Sequence, residues 1–214
     1  MKGSAHLTIG VAIGAAATAY YPFTFTNAAI YMAVAAFSAL SADLDGTSML
    51  TSKLSQASKL LRNLILWGST LLAAVFGYMY FIYDSMVPEL AVAAIITFLL
   101  GFVAKQGLIR NCMISAIGGG LIYAGLRFGM NWLIGFGLFI AWVPWLKHRG
   151  MTHTLWAALI WGAIGRGLES QLELEGIAVV ATAGYLSHLL ADTLTPSGVK
   201  WFYPLYKKSI KLRG

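Results

Sequence analysis

The stretch Leu64–Tyr83, LILWGSTLLAAVFGYMYFIY, decides the fold, because it carries no charged residue and is long enough to form a membrane-crossing helix. A helix needs about 20 mostly apolar residues to cross the hydrocarbon core of a bilayer. The whole chain of 214 residues follows the same pattern, since 58% of its residues are hydrophobic and only 11% are charged. Soluble domains carry roughly 25% charged residues. The composition therefore excludes a water-soluble fold and predicts a single integral membrane domain, residues 1–214.

Further apolar segments lie on both sides of this stretch, and together they predict an all-α, polytopic transmembrane helical bundle with about eight membrane segments. The segments are 7–21, 28–42, 61–83, 88–104, 111–126, 131–146, 154–168 and 177–193. The first two segments are short, and the sequence leaves open whether each crosses the membrane fully or is re-entrant. The polar, mildly amphipathic stretch 46–62 between the second and third segments is expected to lie along the lipid headgroups.

The distribution of charge predicts which side of the membrane each loop faces. If the N-terminus is cytoplasmic and every segment crosses once, all of the 15 lysines and arginines except Arg127 and Arg166 fall on the cytoplasmic side, Arg213 at the C-terminus included. Positive residues are concentrated in cytoplasmic loops of membrane proteins, so we predict that both termini are cytoplasmic. The carboxylates on that side are Asp43, Asp45 and Asp192.

All four histidines fall at predicted helix ends on the same cytoplasmic side as these carboxylates. His188 and Asp192 are four residues apart on one helix and therefore project from one face. Taken alone, a histidine at a helix end is more often a capping or interface residue. Ionisable groups at membrane depth are costly, however, and their clustering here indicates a functional site.

The other two groups have spacings that suit a shared site if the chain turns within them. Asp43 and Asp45, followed by Gly46, are expected to point the same way from a turn, and two such close carboxylates repel unless a cation or proton intervenes. His148 and His153 converge if a turn at Arg149-Gly150 interrupts the helix, and Thr152 is a plausible N-cap for the helix that follows.

Imidazole and carboxylate together suit a divalent metal, most often zinc, with manganese, iron or magnesium as alternatives. The predicted ligands number enough for one to three ions, and they are His6, Asp43, Asp45, His148, His153, His188 and Asp192. Paired divalent ions support phosphoester hydrolysis, because they activate a water and stabilise the charged oxygens. The predicted catalytic residues are Asp43, Asp45, His153 and Arg149, the last of which would bind a substrate phosphate. Arg149 and Lys200 have an equally simple interpretation as determinants of membrane topology.

The sequence resembles the bacterial family of membrane-bound metal-dependent hydrolases, the YdjM-like inner-membrane proteins. The resemblance rests on His6, on Asp43-Leu44-Asp45, and on the longer motifs HRGMTHT at 148–154 and HLLADTLTPSGV at 188–199. It implies a bacterial plasma-membrane location and the same seven ligand candidates. That family is distantly similar to the zinc-dependent phospholipase C and single-strand nuclease superfamily. The soluble members also use a glutamate ligand, and none of the glutamates here falls on the cytoplasmic side, which argues against a full three-zinc site.

Two functions are consistent with these observations. The first is a membrane-embedded metal-dependent hydrolase acting on a phosphoester, such as a phospholipid or lipid-linked phosphate, with membrane lipids as partners and no nucleic acid. The second is a non-enzymatic membrane protein, either a metal-stabilised scaffold or a divalent-cation carrier. A carrier is expected to place its ligands near mid-membrane, whereas here they lie at one boundary. The sequence leaves the substrate, the metal and the oligomeric state open.

Overall fold

A computed structural model describes residues 1–84 and 87–212, and within those ranges the protein is built from α-helices and short 3-10 turns, without β-strands. Arg213, one of the basic residues assigned to the cytoplasmic side, lies outside the described residues. The α-helices are α1 (Gly3–Tyr20), α2 (Phe25–Ser41), α3 (Ser52–Tyr83), α4 (Pro88–Val103), α5 (Gln106–Phe128), α6 (Asn131–Trp142), α7 (Leu155–Leu172) and α8 (Ile177–Thr193). Each predicted segment therefore corresponds to a helix, which confirms the all-α class.

The prediction that about eight segments cross the membrane is wrong by the criteria of length and apolar composition. Three helices meet both criteria: Phe25–Asp45, Ser52–Tyr83 and Gln106–Phe128. Three more are apolar but shorter, namely Pro88–Val103, Asn131–Trp145 and Ile177–Thr193. The α4 helix has only 16 residues and α8 has 17, fewer than the roughly 20 that a straight crossing requires.

Most of the polar stretch 46–62, which is expected to lie along the lipid headgroups, is helical. The α3 helix begins at Ser52, well before the apolar run, and continues without a break to Tyr83 over 32 residues. Good helix formers such as Leu54, Lys59 and Leu60 carry the helix through the polar part, and the charges there do not interrupt it.

The chain folds as two compact units. One unit comprises Ser52–Met113, and in it α3 packs against α4. Gly101 allows a close approach within this pair, since a Cβ added there would lie 2.8 Å from Leu66 Cδ2. The other unit comprises Met1–Thr51 together with the chain from Ile114 onward, and it contains every predicted ligand.

In the second unit the helices that carry histidines are neighbours. The α1 helix packs against α2 and α8, and α8 packs against α2 and α7. Glycines permit the closest contact, because a Cβ added at Gly14 of α1 would lie 2.5 Å from the Cα of Met32 in α2. Small residues at a helix interface let backbones approach closely where the hydrophobic effect between helices is weak. This packing brings the N-terminal turn of α1 against the C-terminal ends of α2 and α8.

Candidate metal centre

The seven predicted ligands lie together at one end of this unit, on four separate pieces of chain. The α1 helix contributes His6, and a 3-10 turn at Ala42–Asp45, which continues α2, contributes Asp43 and Asp45. The segment between α6 and α7 contributes His148 and His153, and α8 contributes His188 and Asp192. The side chains of His6, His153 and His188 have exposed fractions of only 0–1%.

The imidazole of His188 is oriented by the backbone of α2. Its Nδ1 atom lies 2.8 Å from the carbonyl oxygen of Ala39. A carbonyl oxygen can only accept, so Nδ1 carries the proton and Nε2 presents a lone pair. That Nε2 atom lies 3.5 Å from Asp43 Oδ1 and 3.9 Å from Asp192 Oδ2. Hydrogen bonds of this kind, made by the ring nitrogen that does not bind the ion, fix the tautomer of metal-binding histidines.

The imidazole of His153 is oriented in the same sense by Thr152 and Asp45. The Thr152 hydroxyl donates its single proton to Asp45 Oδ2 over 2.6 Å, so it accepts from His153 Nδ1–H over 2.9 Å. The Nε2 atom of His153 therefore has a free lone pair, and it lies 3.5 Å from Asp43 Oδ1 and 3.8 Å from Asp192 Oδ2. Burial lowers the pKa of His153, which favours the neutral form that binds metals.

His6 joins the cluster from α1 by stacking on His188. The two ring centroids are 3.9 Å apart with an interplanar angle of 17°. The Nε2 atom of His6 lies 3.4 Å from Asp192 Oδ1. Asp192 thus has one oxygen toward His6 and the other toward His153 and His188, and it also contacts the amino group of Met1 at 2.6 Å.

The Nε2 atoms of His153 and His188 lie at similar distances from one oxygen each of Asp43 and Asp192, and the ligand atoms of His153, His188 and Asp192 lie within 4.8 Å of one another. Their nitrogen–oxygen separations run from 3.5 to 3.9 Å. With bonds of about 2.0–2.1 Å, the ligand atoms of tetrahedral zinc lie about 3.3–3.4 Å apart. The observed separations are only slightly wider. The ligand atoms of His6, Asp43 and His188 form a second group within 4.8 Å of one another, which suits a neighbouring ion.

The Nε2 atoms of His6, His153 and His188 are buried and have no hydrogen-bond partner within the described residues. Leaving a buried polar atom unsatisfied costs roughly 1–3 kcal/mol. Three such atoms facing two carboxylates are explained if a cation lies between them.

Asp45 has a different environment from Asp43, contrary to the expectation that the two point the same way. They lie in a 3-10 turn, in which residues two apart project about 120° from each other around the axis. Asp45 Oδ1 accepts from His148 Nδ1–H at 2.7 Å, while Oδ2 accepts from Thr152 and from the Arg149 backbone N–H at 3.2 Å. Asp43, Asp45 and His148 offer ligand atoms within 4.8 Å of one another. Both oxygens of Asp45 accept hydrogen bonds from the protein, and the oxygens of Asp192 likewise contact the amino group of Met1 and Nη2 of Arg149.

His148 and Arg149 lie at the entrance of the site. The hydrogen bond to Asp45 raises the pKa of His148, whose side chain is half exposed. Arg149 has a left-handed backbone (φ 57°), and its Nη2 atom forms an ion pair with Asp192 Oδ2 at 3.1 Å. Both residues line a cavity of about 460 Å³ that also exposes Asp43 and Lys2. The predicted interruption of the helix between His148 and His153 is confirmed, but the residue that caps α7 is Thr154, not Thr152.

A comparison with protein-family models matched residues 1–214 to the YdjM inner membrane protein family. The chain belongs to that family. Comparisons with curated proteins and with solved structures each gave no match. The family and the apolar helices together identify this YdjM protein as a membrane protein.

Some residues of the YdjM site were not predicted from the sequence. Thr152 orients His153, and its own carbonyl accepts a hydrogen bond from Tyr185 Oη at 2.7 Å. Ala39 contributes only its backbone, so no side-chain pattern reveals it. The role of Thr152 could have been predicted from its position next to His153, because a threonine beside a ligand histidine can form the hydrogen bond to the second ring nitrogen.

Proposed function

We propose that this YdjM protein is a membrane-embedded, metal-dependent hydrolase that acts on a phosphoester. One observation carries the proposal. Within the described residues, three buried imidazole nitrogens without hydrogen-bond partners converge on the carboxylates of Asp43 and Asp192. These carboxylates line a cavity that Arg149 also lines. A structural core has no need of unpaired nitrogens, whereas a metal centre requires them.

The residues present fit a divalent metal, most readily zinc. His153, His188, Asp43 and Asp192 would hold one ion, and His6 with the shared carboxylates and His188 would hold a second. Manganese and magnesium remain alternatives, although the imidazole nitrogens favour zinc over magnesium. Divalent ions in such a site lower the pKa of water and stabilise charge on phosphoryl oxygens. Asp45 acts in this proposal through His148 and Thr152, as a positioning residue.

Arg149 binds the substrate phosphate in this proposal. Its Nη1 atom is buried without a partner in the described part of the chain, while Nη2 is held by Asp192. A guanidinium anchored at one nitrogen can present another to a phosphoryl oxygen in a fixed direction. Asp43 and Asp192 both line the cavity, and Asp43 is the more exposed of the two, with 23% of its side chain exposed.

The position of the centre suggests the kind of phosphoester. The ligands lie at the ends of α2 and α8 and at the start of α1, which the charge distribution assigns to the cytoplasmic boundary. A site at the headgroup level favours a phospholipid or a lipid-linked phosphate. We propose with it a multi-pass topology in which both termini are cytoplasmic. Reporter fusions at each terminus test this topology, and a terminus that faces outward would contradict it.

A metal-stabilised scaffold is the second candidate, and the nearly complete burial of His6, His153 and His188 favours it. A scaffold needs closed coordination, whereas a catalyst needs an open position. The exposure of Asp43 on a cavity of about 460 Å³ favours the catalyst. A cation carrier is less well supported, because the clustered ligands lie at one end of the helices.

The test combines metal analysis with a substrate screen. Bound metal is measured in three purified proteins: wild type, the Asp43→Asn variant and the control variant Glu89→Gln. The control changes an exposed carboxylate on α4. Wild type and control are expected to carry metal, and the Asp43→Asn variant is expected to lose most of it. Phosphodiesters, phosphomonoesters and phospholipids are then assayed with and without chelator. Metal binding without chelator-sensitive hydrolysis of any of them would favour the scaffold, and equal trace metal in all three proteins would overturn the centre.

A further inference from the structure

A second cavity lies deeper in the same unit, between α2 and α6. Its volume is about 410 Å³. One wall is formed by Ala33 and Phe37 of α2 and the other by Phe136 of α6, while Trp161 of α7 and Ala181 of α8 form the floor. Phe37 and Phe136 meet across it with ring centroids 5.9 Å apart. We call this cavity the α2–α6 groove.

The lining of the α2–α6 groove is almost entirely apolar. Its one hydroxyl among the described residues, that of Ser38, already accepts a hydrogen bond from Trp161 Nε1–H at 2.8 Å. Trp132, another lining residue, has a buried indole N–H without a partner among the described residues. A single free donor falls short of the roughly two to four polar partners that a retained water needs. A hydrocarbon chain gains from the same surface, both through contact with the aromatic rings and through exclusion from water.

The helices that line the groove continue directly into the metal centre. From Ser38 the chain runs through α2 to Asp43, and from Ala181 it runs along α8 to His188. At a rise of about 1.5 Å per residue, these ligands lie about 7 to 11 Å along the helices from the groove. Trp161 is likewise on α7, which begins just after His153. The groove therefore lies one to two helical turns deeper than the centre.

We propose that the α2–α6 groove binds one acyl chain of a phosphate-bearing lipid whose headgroup lies at the metal centre beside Arg149. This inference rests on the proposed function and specifies its substrate class as a long-chain lipid phosphate. The polar end of that lipid matches the charged cavity, and its chain matches the apolar groove formed by the same ligand-bearing helices.

The test is photo-cross-linking of phosphatidic acid that bears a diazirine on one acyl chain, carried as a trace component of phosphatidylcholine vesicles. The full chain is reconstituted as wild type, as Ala33→Trp, and as the control Ala15→Trp. Ala33 is exposed on the groove wall, so a tryptophan there fills the groove without entering the core. Ala15 is exposed on α1 outside the groove. Bound metal reports that each variant is folded.

Cross-links are expected on groove residues in wild type and the control, and about tenfold fewer in Ala33→Trp, equivalent to ~1.4 kcal/mol of binding. Diacylglycerol with the same chain should label the groove weakly, because it lacks the phosphate. Equal labelling by both lipids, or equal labelling of all three proteins, would overturn the inference.

Cross-linking is read without turnover, which separates this inference from the proposed function. If the protein hydrolyses a water-soluble phosphodiester but shows no cross-link that depends on Ala33, the hydrolase proposal stands and the groove proposal is contradicted. A groove-specific, phosphate-dependent cross-link in a protein that hydrolyses nothing supports the groove and contradicts the hydrolase.

Discussion

The Nδ1 atom of His188 donates a hydrogen bond to the carbonyl oxygen of Ala39 at 2.8 Å, so the opposite ring nitrogen is held toward Asp43. The two nitrogens thus have separate roles, one in joining α8 to α2 and one in the metal centre. This separation makes it possible to remove the second role alone.

His188→Asn is the variant that does so. The asparagine amide can still donate to the Ala39 carbonyl, because it occupies the position of Nδ1, but it has no atom at the position of Nε2. In chelator the variant should unfold at a lower temperature than wild type, because the ring that stacks on His6 is lost. We expect it also to lose the additional stabilisation that zinc gives, about 2.7 kcal/mol at a free metal concentration of 100 times Kd. Thermal unfolding in detergent with and without zinc measures this. A His188→Asn protein that zinc stabilises as strongly as wild type would show that Nε2 is not a ligand.

Thr152 holds His153 in the tautomer that frees Nε2, and its replacement by valine removes the hydroxyl at nearly constant volume. Loss of such a hydrogen bond typically lowers metal affinity about 10–100-fold. We expect that loss in Thr152→Val and near-wild-type affinity in Thr152→Ser, measured by competition with a zinc chelator. If the serine and valine variants bind zinc equally, the hydroxyl has no part in orienting His153.

Arg149 is predicted to act on the substrate and not on the metal. Hydrogen bonds to charged groups contribute roughly 1.5–3 kcal/mol, so Arg149→Gln should weaken binding of inorganic phosphate by about tenfold or more. The bound zinc should stay at the wild-type level, since the ligands are unchanged. Isothermal titration of the zinc-loaded protein with phosphate provides the measurement, and loss of zinc together with phosphate would place Arg149 in the structure of the centre instead.

Gly14 controls how closely α1 approaches α2. A Cβ at Gly14 would lie 2.5 Å from Met32 Cα and 2.9 Å from the Tyr31 carbonyl oxygen, and backbone atoms cannot move aside easily. We expect Gly14→Ala to cost about 1–3 kcal/mol of stability. Gly119→Ala is the matched control, because nothing described lies within 4 Å of its added Cβ. Thermal stability in detergent should fall for the first and be unchanged or slightly higher for the second.

The helices and the grouping of the ligands could be predicted from the sequence because both depend on local patterns. Apolar runs indicate helices, and polar residues at helix ends on one side indicate a shared location. The number of crossing helices was overestimated because segments of 17 residues, 88–104 and 177–193, were counted as crossings, although the helices formed there are shorter than a straight crossing requires.

The division of roles within the site could not be predicted in this way. Asp43 and Asp45 look equivalent in sequence, and only the 3-10 turn sends one toward His153 and His188 and the other toward His148. The stacking of His6 on His188 depends on the close packing of α1 against α8, a contact between residues far apart in the chain.

The contacts of Asp192 with both His6 and His153 have a consequence for biogenesis. Residue 192 leaves the ribosome long after residue 6, so the centre cannot be completed until α8 has been synthesised. Until then, the histidines at the membrane boundary lack the carboxylate that they share. Acquisition of the ion would therefore be a late event, and a chain truncated before α8 would present incomplete ligand sets to the quality-control proteases of the membrane.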